Sequence, residues 1–169
     1  MSQRQIELID PVEENRALHE TESRIAIAGH PVHAMLVAFP IALTMSVLGA
    51  DLLYWWTADP FWARVAGWAA FGGFLMGVIA GITGTIELLL VKGIRNRSAS
   101  WTHFILAVML LSIMGANWAH RIGDFEGAVL PLGLLMSFAA AGLTAVTGWH
   151  GGKLVFDYQI GTKPHQKNS

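Results

Sequence analysis

The chain has 169 residues, of which 53% are hydrophobic and 14% charged, with a mean hydropathy of +0.46. Too little charge is present to cover a water-soluble domain of this size, so the composition reads as an integral membrane protein of one domain. A formal net charge of −1 argues against nucleic acid as a partner, and the absence of cysteine excludes disulfides, zinc–thiolate sites and iron–sulfur clusters.

Residues 1–29 carry both charge signs and lack the apolar centre and cleavage site of a secretory signal, so they read as a cytoplasmic arm in which IDPVEENRALHETESR forms a short amphipathic helix. Four apolar runs follow, each long enough for the roughly 20-residue crossing of a bilayer. They cover about 33–56, 61–91, 101–119 and 128–149. The connectors TADP, KGIRNRSAS and HRIGDFEG are short and force antiparallel neighbours. The expected fold is all-α, an up-down four-helix transmembrane bundle over 30–162, with a polar tail at 163–169. The second run exceeds one crossing and should tilt or protrude.

Charge sets the orientation. One side holds Arg4, Arg16, Arg24, Lys92, Arg95, Arg97, Lys153, Lys163 and Lys167, and the other holds Arg64 and Arg121. The positive-inside rule makes both termini cytoplasmic. Trp55, Trp56, Trp62, Trp101, Trp118 and Trp149 fall near the span ends, where indole anchors belong.

Within the spans, Pro40 should kink helix one and free the carbonyl of Leu36. Gly73, Gly77 and Gly81 form a row that lets another helix approach; packing inside the bundle is its plain use, and a planar cofactor against it the rarer one. Asp51 lies eighteen residues, five helical turns, after His33 and needs a partner; Arg121 is the expected one. Asn117 should donate to a neighbouring helix, and Ser137, Thr144 and Thr147 should bond back to their own helix carbonyls. The GG of GWHGGKLVFDYQIG should end helix four, leaving LVFDYQI extended at the interface.

Five of seven histidines sit at helix ends. His30 should cap helix one with His33 three residues further in, His103 opens helix three and His150 closes helix four, all on the cytoplasmic side, and Glu87 lies within two turns of them. His120 sits at the opposite face. Singly, each imidazole has an ordinary interfacial reading. Together, ionisable groups at one depth of a membrane bundle mark a site. Haem iron accepts axial imidazoles, with His33 and His103 the best pair, His30 and His150 further candidates, and Lys92, Arg95, Arg97 and Lys153 facing the haem carboxylates. The alternative ligand is a divalent metal on His30, His33, His103, His150 and Glu87. A transport role in metal or proton handling and a structural or assembly role without cofactor complete the options. No catalytic triad, phosphate loop or carboxylate pair suggests a stand-alone enzyme. The bilayer is the first partner, with a homo-oligomer or redox protein left open.

GHPVHAMLVAFPIAL at 29–43, Asp51, the pair His103 and Asn117, and the GWHGGKLVFDYQIG tail resemble the bacterial membrane proteins grouped as domain of unknown function 2231, over roughly residues 29–162. The resemblance implies a four-helix bacterial inner-membrane protein and picks out His30, His33, Asp51, His103, Gly151 and Gly152. It also implies two departures: Glu87 where aspartate is more usual, and Phe156 where tyrosine is common.

Overall fold

The structure is a computed structural model and describes residues 26–27 and 30–157. The arm helix and the polar tail expected from the sequence lie outside these residues. Two short strands, β1 (Ala26–Ile27) and β2 (His30–Pro31), pair antiparallel ahead of the bundle. The first span is α1 (Val32–Leu36) and α2 (Ala38–Thr57), the second α3 (Pro60–Leu90). A short helix α4 (Lys92–Arg95) leads to the third span, α5 (Ser98–Arg121). A short segment kinked at Leu130, Val129–Gly133, opens the fourth, continued by α6 (Leu134–Phe156). All four spans are long and apolar enough to cross a membrane. Each packs on its neighbour in sequence, and the first packs on the last, closing an antiparallel ring.

The interior is small and polar, and the bulky side chains face outward. Ala63, Ala66, Gly67, Ala70, Gly73, Gly77 and Ala80 line the buried face of α3, whereas Phe39, Trp55, Leu75, Ile79, Val108 and Leu135 are exposed. Lipid tails are as apolar as leucine, so large side chains gain little by turning inward, and small ones let backbones approach. Gly73 meets Leu43 and Met114, and Gly77 and Gly81 meet Leu111. The glycine row is therefore used for packing inside the bundle.

Local sequence explains the turns. At the first connector Ala58 takes a left-handed conformation (φ 52°). Asp59 then caps α3 by accepting the N–H of Phe61 at 2.9 Å, with Pro60 in the first helical position. At 31 residues, α3 runs about 46 Å against an apolar core of about 30 Å, so it protrudes or tilts as its length requires. After α5, Gly123 (φ 93°) turns the chain, and Phe125 folds back onto Gly67, where a Cβ would stand 2.5 Å from its ring.

The first span breaks at Val37, three residues before Pro40, in keeping with the kink expected of that proline. Two sequence expectations change. Pro31, rather than His30, is the N-cap of the first helix, and His30 is part of a strand. The last helix runs through Gly151 and Gly152 to Phe156 instead of stopping at them. Neither glycine has a positive φ; Gly151 serves a neighbouring ring, described below.

A regular offset runs through the bundle. His33 and His103, Thr44 and Met114, and Asp51 and Arg121 are each in contact with a residue 70 positions away. The first and third spans are parallel in the ring, so contacts at one constant offset place these pairs along a common axis, at successive depths. The second and fourth spans repeat with an offset of 67: Ala66 and Gly133, Ala70 and Ser137, Gly73 and Ala140, and Ala80 and Thr147 are all buried. The fold is two helical hairpins related by an approximate two-fold about the bundle axis.

Candidate functional site

At one end of that axis His33 and His103 face each other, ring centroids 6.3 Å apart and planes crossed at 82°. The same device holds both rings. His33 Nδ1 bonds the carbonyl of Ala80 at 2.8 Å and its ring lies over Gly84, one turn on. His103 Nδ1 bonds the carbonyl of Thr147 at 3.1 Å and its ring lies over Gly151, again one turn on. A Cβ at Gly84 would stand 2.8 Å from His33 Cε1, and one at Gly151 would stand 3.0 Å from His103 Cε1. Only glycine leaves room for an imidazole to reach past it to the carbonyl of the preceding turn.

This bonding fixes the tautomer. A carbonyl only accepts, so each Nδ1 carries the hydrogen, and in the neutral ring the Nε2 lone pair is left for a ligand. Histidines that bind metal are held this way, with the second nitrogen donating to a carbonyl or carboxylate.

The other candidates are placed differently. His150 bonds the carbonyl of Val146 on its own helix at 3.0 Å. Glu87 is buried three residues beyond Gly84, on the same helix face. The backbone of His30 lies in β2; its side chain is outside the described residues. Among the described residues, no group of three or more His, Asp or Glu is placed to hold a metal ion. Of the five-ligand set expected from the sequence, the four with described side chains, His33, His103, His150 and Glu87, form no such group. His120 is exposed at the opposite end.

That opposite end holds a fully buried ion pair. Arg121 donates from Nη1 to Asp51 Oδ1 at 2.9 Å and from Nη2 to Oδ2 at 2.7 Å, and both side chains have 0% exposure. Arg121 Nε donates to Asn117 Oδ1, Asn117 Nδ2 to Ser137 Oγ, and Ser137 Oγ to Asp51 Oδ2 at 2.6 Å. The fork of the guanidinium matches the carboxylate, and three helices are joined by one closed circuit. Gly133 makes this feasible: a Cβ there would run into the carbonyl of Ala128 and stand 3.0 Å from Arg121 Nη2. The Asp51–Arg121 pair and the Asn117 donor agree with the sequence reading. Thr144 bonds back to Ala140, but Thr147 Oγ1 has no partner among the described residues. Ser137 as the bridge, Gly84 and Gly133 were not singled out from sequence.

Both ends of the axis fall within the stretch, residues 29–164, that matches the family model described as "Predicted membrane protein (DUF2231)". The chain belongs to the DUF2231 family. No curated protein and no solved structure gives a significant match to this DUF2231 protein. What its site does must therefore be argued from its own geometry. An imidazole pair with both Nδ1 atoms committed to main chain keeps two Nε2 lone pairs for ligation. The buried ion pair, already saturated with hydrogen bonds, holds the far end of the bundle shut.

Proposed function

We propose that this DUF2231 protein is a bacterial inner-membrane electron carrier that binds one b-type haem between His33 and His103. The observation that carries the reading is the ring pair itself. Two imidazoles sharing one iron, at about 2 Å per metal–nitrogen bond, have centroids about 6 Å apart, and the observed separation is 6.3 Å. Both Nδ1 atoms are committed to backbone carbonyls, as ligand histidines require. A haem supplies four of its iron's ligands, so two side chains complete it. A structural zinc wants four protein ligands, and two imidazoles fall short of that.

His33 and His103 would hold the iron, which when bound supplies one-electron chemistry. The chain's own contribution is to fix both rings with a proton on Nδ1 and to set the site in an apolar span. Lys92, Arg95 and Lys153 are exposed near that end and supply cations for the haem carboxylates. The same basic residues support the orientation with the histidine end in the cytoplasm, since Arg121 is neutralised by Asp51 and Arg64 is the one exposed Lys or Arg at the other end among the described residues.

The test is absorbance of detergent-purified protein from haem-replete cells, with pyridine haemochrome and metal analysis. A Soret band with close to one haem per chain is expected. Colourless protein that also fails to take up added hemin overturns the reading.

A further inference from the structure

The axis between the imidazole pair and the ion pair is interrupted by a small hole. It measures about 10 Å³ and is lined by Thr44, Val47, Ala70, Met114, Asn117, Ser137 and Ala140. Three pairs related by the internal repeat surround it: Thr44 with Met114, Val47 with Asn117, and Ala70 with Ser137. It sits where α6 turns two alanines, Ala140 and Ala141, inward between Ser137 and Thr144.

We propose that one water molecule occupies this hole and extends the Asp51–Arg121 circuit along the axis to Thr44. The volume is about the least that admits a single water, which needs two or more polar partners to stay in a protein interior. Those partners are present. Asn117 Nδ2 gives one hydrogen to Ser137, at 2.9 Å, and its second amide hydrogen is uncommitted among the described residues. The hydroxyl of Thr44 donates to Met114 Sδ at 3.5 Å, and a thioether is a weak acceptor. Its oxygen keeps two lone pairs. A water accepting from Asn117 and donating to Thr44 satisfies both, in a region where an unmade hydrogen bond is costly.

The water changes the character of the core. Thr44 is seven residues before Asp51 and Thr144 seven after Ser137, so both lie about 10 Å along the axis from the ion pair. With the hole filled, hydrogen bonds run from Asp51 through Ser137, Asn117 and water to Thr44. A dry hole leaves the circuit closed upon itself at Asn117. This inference is independent of the haem reading.

X-ray radiolytic labelling of the purified wild-type protein in H₂¹⁸O, read by mass spectrometry, tests it. Hydroxyl radicals form from a bound water and oxidise the side chain beside it, and Met114, 5% exposed, lines the hole. Met114 is expected to gain oxygen at doses that also label exposed Met35. In Ala140→Leu, which fills the hole, and in Thr44→Val, which removes a partner, Met114 labelling should drop several-fold while Met35 is unchanged. An unlabelled Met114 in the wild-type protein, or undiminished labelling in whichever variant folds, overturns the proposal.

Discussion

Replacing Arg121 by methionine isolates what the buried ion pair contributes. The change removes both guanidinium bonds to Asp51, at 2.9 and 2.7 Å, and the Nε bond to Asn117. Asp51 stays inside the bundle with 0% exposure and, among the described residues, only Ser137 as a side-chain donor. Removing one member of a buried pair costs about 3–5 kcal/mol, chiefly because the survivor is an uncompensated charge. For a chain of this length that corresponds to a fall of about 10 °C in Tm. Tryptophan-fluorescence melting in detergent suits the measurement, since the protein has seven tryptophans. The companion variant is Asp51→Leu/Arg121→Met, which removes both charges. An apolar replacement of a buried pair is often neutral or stabilising, so the double variant should recover most of the loss. Arg121→Met melting within a degree of wild type, or a double variant no better than the single one, would refute the claim that charge complementarity holds this end.

Three further outcomes follow from the close glycine contacts and the same circuit. Gly84→Val should displace the His33 ring, costing about 1–3 kcal/mol and most of the bound haem, while His120→Ala leaves both unchanged; haem content and melting report them together. Gly67→Ala should lower stability by a similar 1–3 kcal/mol because its methyl strikes the Phe125 ring, and Phe125→Ala in the same chain should restore much of it in the melting assay. Asn117→Leu, which strips the Arg121 Nε of its acceptor, should cost about 1–3 kcal/mol, measurable in the same way and not rescued by Ser137→Ala.

Much of the architecture was legible because membrane spans obey length and polarity. Runs such as Ala38–Thr57 and Ser98–Arg121 carry so few charges that no soluble fold could hide them. The Asp51–Arg121 pair was legible for the same reason: a carboxylate in a span needs a cation, and few were on that side. Less could be read of the imidazole site. Nothing in GHPVHAML says that His33 will bond a carbonyl of the second span, because the decisive feature is a glycine fifty-one positions on. Gly151 was misread as a helix stop, since glycine at a chain turn and glycine beneath a ring look alike in sequence. One signal was present and unused: His33 precedes Asp51 by the same eighteen residues that separate His103 from Arg121. That repeat points to two equivalent hairpins and to imidazoles meeting on their shared axis.

The most direct measurement is the visible spectrum of wild type, His33→Ala, His103→Ala and His120→Ala, purified identically from haem-replete cells. A Soret band in wild type and His120→Ala that is lost in both His33→Ala and His103→Ala is the expected result. A band that survives in either axial variant, or that never appears in wild type even with added hemin, contradicts a haem held between the two spans.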